Sequence, residues 1–334
     1  MKNILVTGGL GYIGAHTVTE LIAHGYQPVI IDDLSNTNIG VLSSLEQICQ
    51  CTIPFYQSDV NNIDVLNDIF SKHQIEAVIH FAAFKAVGES VKEPLKYYRN
   101  NIGGLICLLE TMQTNGIKNI VFSSSCTVYG EPDQSPVNEL APIKKANSPY
   151  GNTKQIGEEI LADCSFLNTV ALRYFNPIGA HASAKIGELP LGVPNNLVPF
   201  ITQTAAGIRE KLTVFGNDYN TKDGTCVRDY IHVVDLAAAH VKALSYIEQH
   251  PNNHFEVFNI GTGNGLTVLE IIQAFERVNQ VRLNYSIGER RAGDVEKVWA
   301  DNTKAESVLG WKANIGLDEM VRSAWAWQQQ LQQA

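Results

Sequence analysis

Tyr150 and Lys154 stand four residues apart in the run Ser148-Pro149-Tyr150-Gly151-Asn152-Thr153-Lys154. Ser148 reads as an N-cap and Pro149 as the first residue of a helix. On a helix, a spacing of four puts both side chains on one face. A tyrosine hydroxyl titrates near pH 10, so about one in a thousand is phenolate at pH 7. A general base works best when it titrates close to its operating pH. An ammonium ~5 Å away contributes about 3 kcal/mol at an effective dielectric of ~20, roughly two pKa units. Tyr150 is therefore expected to be a base of depressed pKa, with Lys154 and an oxidised cofactor as the causes. An ordinary amphipathic surface helix would also carry such a pair. Two features set this one apart. Phe122-Ser123-Ser124-Ser125 leaves the C-terminal end of an expected strand, where doubly wound sheets hold their ligands. A glycine turn near the N-terminus offers a redox cofactor for a base to work beside.

That turn is Gly8-Gly9-Leu10-Gly11-Tyr12-Ile13-Gly14, between an expected strand and an expected helix. Gly8, Gly11 and Gly14 would allow a tight turn, close approach of backbone to a pyrophosphate, and close helix–sheet packing. Asp32 closes the next strand, eighteen residues beyond Gly14. A carboxylate there accepts hydrogen bonds from a ribose diol and repels a 2′-phosphate, which favours NAD over NADP.

The elements that must hold these groups follow from the apolar pattern. Short β-branched runs at 2–6, 29–31, 77–81, 119–122 and 169–172 alternate with helical spacing such as Ala15, Val18, Leu21 and Ile22. Strands alternating with helices imply a doubly wound parallel sheet, the α/β Rossmann class. Pro177, Gly179, Gly187, Pro190, Gly192, Pro194 and Pro199 then crowd one stretch. This texture suggests a first domain over 1–177 and a smaller mixed α/β domain over 178–334. In the second we expect helices at 197–208 and 234–247, a loop at 215–224 and a strand at 255–260. The segment at about 229–262 is expected to pack back on the first domain.

Composition narrows the function. Lys and Arg total 25 against 34 Asp and Glu, a formal net charge of −9, which argues against broad nucleic-acid binding. With 45% hydrophobic and 18% charged residues, the mix is that of a globular protein, and no run is long enough for a membrane span. The apolar stretch Ile4-Leu5-Val6 is too short for a signal peptide, so a cytoplasmic location with six reduced cysteines is expected. Cys49 and Cys51 have no second pair or histidine at zinc spacing, so no metal is expected.

Longer motifs add a resemblance. The first half carries Val78-Ile79-His80-Phe81-Ala82, Lys85-Ala86-Val87-Gly88-Glu89-Ser90, Thr127-Val128-Tyr129-Gly130 and Arg173-Tyr174-Phe175-Asn176-Pro177. The second half carries Pro194-Asn195-Asn196-Leu197, Phe215-Gly216-Asn217-Asp218-Tyr219, Val227-Arg228-Asp229-Tyr230-Ile231-His232 and Arg290-Arg291-Ala292-Gly293-Asp294. Over nearly its whole length the chain resembles the extended short-chain dehydrogenase/reductase family, and within it the branch that epimerises UDP-hexoses at C4. The resemblance implies NAD-dependent interconversion of UDP-glucose and UDP-galactose through a transient 4-keto sugar, as part of galactose metabolism, by a homodimer. It implies that Tyr150 removes the 4-hydroxyl proton, that Ser125 hydrogen-bonds the same oxygen, and that Lys154 holds the nicotinamide ribose. The cofactor positions it implies are Gly8, Gly11, Tyr12, Ile13, Gly14, Asp32, Asn36, Asp59, Val60, Phe81, Ala82, Lys85, Asn100, Ser123, Tyr150, Lys154 and Tyr174. Those around UDP and sugar are Lys85, Ser125, Tyr150, Phe175, Asn176, Asn196, Leu197, Phe215, Arg228, Arg291, Asp294 and Val298.

One physical argument stands beside the resemblance. A single hydride site must meet both faces of a ketone, so the hexose is held loosely and the nucleotide supplies the binding energy. Arg228 and Arg291 suit that anchor, because guanidinium groups bind phosphate in bidentate fashion. Val298 flanks the position of the sugar 2-substituent in this family and is smaller than the tyrosine of members restricted to glucose and galactose. Activity on UDP-N-acetylglucosamine and UDP-N-acetylgalactosamine is therefore expected as well. Leu105, Ala182, Leu189 and Asn220 depart from common family residues without touching a catalytic position.

His80, Cys126 and the Gly261-x-Gly263-x-Gly265 loop read as packing or turn residues. The apolar stripe Ile102, Leu105, Ile106 and Leu109 reads as core, or by resemblance as part of a dimer interface. Three alternatives remain. A 4,6-dehydratase needs an acid after the serine, where Cys126-Thr127 offers none. A UDP-glucuronate decarboxylase or epimerase shares the motifs. A non-catalytic NAD-binding regulator would keep the glycine turn without needing Tyr150, Lys154 and Ser125 together.

Overall fold

The computed structural model describes residues 1–291 and 294–333. Its first half alternates β1 (Asn3–Thr7), α1 (Tyr12–Ala23), β2 (Gln27–Asp32), α2 (Gly40–Cys49), β3 (Phe55–Gln57), α3 (Ile63–His73) and β4 (Ile75–His80). Then come α4 (Val87–Lys92), α5 (Pro94–Tyr97), α6 (Gly104–Thr114), β5 (Asn119–Ser125), α7 (Pro149–Asp163), β6 (Asn168–Tyr174) and β7 (Asn176–Ile178). The second half adds α8 (Leu197–Ala205), β8 (Leu212–Phe215), β9 (Val227–His232), α9 (Val233–Gln249), β10 (Phe255–Ile260) and β11 (Gly265–Thr267). It ends with α10 (Val268–Asn279), β12 (Tyr285–Gly288), β13 (Lys297–Val298) and α11 (Leu317–Gln333).

Seven strands form one parallel sheet in the order β10-β6-β5-β4-β1-β2-β3. The chain winds outward from β1 to β3, then crosses back to β4 and winds the other way. The switch point therefore lies between β1 and β4, and their carboxyl ends open the crevice where such sheets bind ligands. Alternate residues of each strand face opposite layers. Val6, Ile30, Ile79 and Val121 pack with α1 and α9 through Val18, Leu21, Leu236 and Ala239. Leu5, Val29, Val78, Ile120 and Phe122 pack with α3, α6 and α7 through Leu66, Ile69, Leu108 and Leu161. Burial on both faces explains why these strands read as unbroken apolar runs.

β10 pairs with β6 from Phe255↔Thr169 to Ile260↔Tyr174, so the sheet draws its last strand from the second half of the chain. The rest of that half is a small sheet in which β9 pairs β7, β11 and β13, a separate β8–β12 pair, and α8, α10 and α11 around Ile201, Phe275 and Val321. Thr267 and Glu270 close a capping box on α10.

The segment that carries the apolar stripe Ile102, Leu105, Ile106 and Leu109 is broken by a π-type turn over Tyr98–Gly103 between α5 and α6. The helix expected at 197–208 stops at Ala205, just before Gly207 takes φ +73°. β3 and the strands of the small sheet are two to six residues long, too short for a distinct alternation.

Candidate active site

The turn after β1 is shaped by contacts that only glycine permits. Gly8 adopts φ +68°, and a Cβ there would lie 2.8 Å from the Ala82 nitrogen, on the loop leaving β4. A Cβ on Gly14 would lie 2.3 Å from the Gly8 oxygen. Gly11, the N-cap of α1, is less crowded, an added Cβ meeting only the Gly8 oxygen, at 3.2 Å. The first N–H groups of α1 thus point out over bare backbone, an arrangement suited to an anion. Asp32 is buried at the adjoining strand end, its carboxylate held by the N–H groups of Leu10 and Leu34, both at 3.0 Å. Burial pushes its pKa up, while the two backbone bonds hold it down. The glycine cradle, the oriented acid and the buried, unpartnered Tyr174 hydroxyl fit a dinucleotide.

The other positions expected around a cofactor are spread along the same sheet edge. Asn36 and Asp59 are exposed on the loops after β2 and β3, and Asp59 accepts from the Asn61 backbone and side chain at 2.8 Å. Val60 is buried beside them. Ala82 donates to Thr7 Oγ1 at 3.3 Å, and the Phe81 ring lies 4.7 Å from His240. Asn100 bonds its neighbour Asn101 at 3.0 Å, and Ile13 is half-buried on α1. Tyr12 donates to the Gly179 carbonyl at 2.7 Å and lies 5.8 Å below the Lys85 ammonium.

Ser148 caps α7, accepting from the Gly151 N–H at 3.2 Å, with Pro149 behind it. The helix therefore starts where the local signal placed it, and Tyr150 and Lys154 face the end of β5. Lys154 Nζ donates to the Ser123 carbonyl at 2.5 Å and sits 4.9 Å from the Phe122 ring and 6.0 Å from the Tyr150 ring. Ser125 is near enough to Tyr150 to lower its pKa. The Ser125 hydroxyl also accepts from the Thr127 N–H at 3.2 Å.

The electrostatics correct the part of the expected shift assigned to Lys154. Burial pushes Tyr150 up to about 12, against a smaller downward effect of the Ser125 hydrogen bond. The ammonium is aimed at a carbonyl and not at the phenol, and desolvation of the phenolate outweighs it. Burial also lowers Lys154 to about 8, opposed by the charge of Glu158.

A second cluster gathers residues from the far half. Asp294 accepts from Arg291 at 2.7 Å and faces Arg228 at 3.9 Å. The Arg291 guanidinium lies 5.6 Å from the Phe215 ring. Val298 pairs in register with Arg228 and is buried with Phe175, Tyr129 and Val128, the half-buried Cys126 packing against them. Asn176 starts β7 opposite Tyr230. Ala292 and Gly293 lie outside the described residues.

Asn196 precedes half-buried Leu197 at the start of α8 and donates to Glu188 at 2.6 Å. Glu188 also receives Lys85 at 3.1 Å, so one carboxylate oxygen joins two expected ligand-binding residues. Sequence reasoning missed Glu188, which sits in a stretch with no periodic pattern. It also missed Thr127, whose buried hydroxyl has no partner.

The family model described as GDP-mannose 4,6 dehydratase matches residues 5–324. A UDP-glucose 4-epimerase of Bacillus subtilis is 50% identical over 97% of this chain and 96% of its own. The crystal structure of a UDP-glucose 4-epimerase from Stenotrophomonas maltophila, with bound NAD and a formylated UDP-arabinopyranose, superposes with a TM-score of 0.97 at 47% identity, covering 100% of this chain and 99% of that one. One from Bifidobacterium longum, in complex with NAD+ and UDP, gives 0.94 at 43% identity and 98% coverage of both chains. The residues after Ser125 are Cys126 and Thr127, which carry no acid for a dehydratase. The chain belongs to the UDP-glucose 4-epimerase family.

Proposed function

We propose that this chain interconverts UDP-glucose and UDP-galactose by NAD-dependent epimerisation at C4, with Tyr150, Ser125 and Lys154 as its catalytic residues. The observation that carries the reading is Tyr150 and Lys154 on one face of α7, against Ser123 and Ser125, at the carboxyl edge of the sheet that bears the glycine cradle. NAD, when bound, supplies the acceptor that takes the C4 hydrogen with its electron pair and returns it to the opposite face, and a positive ring near Tyr150. Tyr150 takes the proton of the 4-hydroxyl as the ketone forms and gives it back as the ketone is reduced. Ser125 bonds the same oxygen and holds it against Tyr150. Lys154, fixed by the Ser123 carbonyl, binds the nicotinamide ribose and opposes the cost of a buried phenolate. Gly8, Gly11, Gly14 and Asp32 hold the dinucleotide. Arg228 and Arg291, flanking Asp294, hold the UDP diphosphate, so the hexose can turn over between half-reactions while the nucleotide stays.

The test is incubation of the purified protein with UDP-galactose. Appearance of UDP-glucose is expected; none, even with NAD added, would refute the reading.

The small Val298 side chain supports a wider substrate range, with UDP-N-acetylglucosamine and UDP-N-acetylgalactosamine also accepted. The exposed apolar side chains of Val87, Val91, Leu95 and Ile106 support a homodimer. All six cysteines are free, and no helix among the described residues is long and apolar enough to cross a membrane, which supports a cytoplasmic location.

A further inference from the structure

Tyr150, Lys154 and Glu158 follow one another at single-turn spacing along one face of α7. Opposite them are three consecutive serines of β5. Ser125 acts on Tyr150, the Ser123 carbonyl receives Lys154, and between these two the Ser124 hydroxyl donates to Glu158. The third contact locks the same two elements whose register sets the first two. Glu158 is itself held from β6. Arg173 Nε donates to its two oxygens at 2.9 and 3.2 Å, and Arg173 Nη2 donates at 2.5 Å. Arg173 Nη1 reaches on to the Tyr129 hydroxyl at 3.0 Å, and Tyr129 donates to Asn259 at 2.7 Å. Both members of the ion pair are buried.

A buried ion pair alone is weak evidence of function, since neutral replacements of similar volume are often as stable. Here the carboxylate also acts on Lys154. The groups facing that ammonium are the Ser123 carbonyl and the Phe122 ring from β5, His80 from β4, and Tyr150 and Glu158 from α7 itself. Burial keeps His80 neutral at ordinary pH, and Tyr150 is faced in turn by Tyr174 of β6 and Tyr97 of α5. Glu158 supplies the opposing negative charge.

We propose that Glu158, braced by Arg173, is a positioning residue for the reaction: it fixes α7 on β5 in the register that seats Tyr150 at Ser125, and it sustains the positive charge of Lys154. This rests on the assignment of Tyr150 and Lys154 as the proton-transfer pair. Glu158 itself touches neither substrate nor cofactor.

The experiment measures kcat and KM for UDP-galactose from pH 6 to pH 10. In Glu158→Gln, kcat is expected to fall about tenfold or more with KM within about twofold. The high-pH limb should move to lower pH, because Lys154 loses its supporting charge. Glu158→Gln leaves a guanidinium buried without its charge partner, so Glu158→Gln/Arg173→Gln restores neutrality and hydrogen bonding. It should fold and keep the displaced limb, which a merely structural role would not predict. Ser124→Ala removes only the strand lock, and kcat should fall severalfold with the limb unmoved. Wild-type kcat in Ser124→Ala would overturn the register claim. An unmoved limb in either folded Glu158 variant would overturn the electrostatic claim, and if neither folds, a wild-type limb in Glu158→Asp, which keeps the charge, supports it while a displaced one counts against it. Tyr150→Phe and Lys154→Met separate the two readings. If they stay active, the pair itself is misassigned. If they are inactive while the Glu158 variants behave as wild type, only the present proposal fails.

Discussion

The Lys154 ammonium lies 6.0 Å from the centre of the Tyr150 ring while donating to the Ser123 carbonyl at 2.5 Å. The lysine is thus placed to act on the phenol through space and not by direct contact. Tyr150→Phe and Lys154→Met are each expected to lower kcat by about 10²–10⁴-fold, the usual range for a lost general base or its support. In the wild type, activity should decline as pH rises through about 8, where Lys154 gives up its proton. A decline that persists unchanged in a weakly active Lys154→Met variant would assign that limb to another group.

The glycines separate folding from cofactor binding. A Cβ on Gly14 meets the Gly8 oxygen at 2.3 Å, a backbone contact that cannot swing aside, so Gly14→Ala should cost about 1–3 kcal/mol of stability. Gly11 has φ −69°, and an added Cβ would meet only the Gly8 oxygen, at 3.2 Å, so Gly11→Ala should cost less stability than Gly14→Ala. Its methyl group would stand where a pyrophosphate is expected to approach, and NAD affinity should fall about tenfold or more. Calorimetry with NAD on both variants checks this. Full affinity in Gly11→Ala would remove the pyrophosphate from that turn.

Much of this site was legible because its signals are local. The Ser148-Pro149 cap, the four-residue spacing of Tyr150 and Lys154, and the glycine turn each lie within one short segment, where side-chain chemistry and backbone geometry leave little choice. The five runs buried on both faces announced the parallel sheet. What escaped was set by distance along the chain. The return of 229–262 to the first domain was expected, but β10 joins β6 across about eighty residues, and nothing in Phe255–Ile260 alone names that partner strand. Glu188 meets Lys85 across a separation of 103 residues, and Glu158 meets Ser124 across 34. The part of the Tyr150 shift assigned to Lys154 was misjudged for a related reason. The sequence shows the neighbouring charge, whereas the burial that outweighs it belongs to the assembled layers.

Asp294 lies between two guanidinium groups, 2.7 Å from Arg291 and 3.9 Å from Arg228. This holds Arg228 near the site and leaves donors free for a diphosphate. Hydrogen bonds to charged groups are worth about 1.5–3 kcal/mol each. Arg228→Ala and Arg291→Ala should therefore raise Kd for UDP by about 10- to 100-fold, with the larger effect at Arg228, which is the more buried. Titration with UDP measures this. An unchanged Kd in both variants would place the diphosphate elsewhere.

Four buried histidines make the fold acid-sensitive. His16 and His80 are lowered to about 3, and His232 and His240 to about 4, in every case chiefly by burial. Below pH 6.5 the unfolded chain takes up protons at these sites while the folded chain does not, so stability falls with pH. Between pH 6.5 and 5.5 each contributes about 1 kcal/mol, about 4 kcal/mol together. The raised pKa values of Asp32 and Asp229 act in the opposite sense. Urea unfolding at the two pH values checks the sum. His240→Leu, which gives up the Nδ1 bond to the Leu236 carbonyl but no partner of Nε2, should remove about a quarter of it.

Val298 offers the sharpest test of substrate range. It pairs with Arg228 on β9 and packs among Phe175, Tyr129 and Val128, so its side chain borders both the anchor for the nucleotide and the apolar floor of the site. The wild type is expected to turn over UDP-N-acetylglucosamine as well as UDP-glucose. Tyrosine at this position adds a phenol ring to a filled cluster. Val298→Tyr should lose about 1–3 kcal/mol of stability, keep activity on UDP-glucose, and lose about tenfold or more on the N-acetyl sugar. If the variant epimerises both sugars as the wild type does, the 2-substituent does not pass Val298, and the breadth of the enzyme is set by another wall of the pocket.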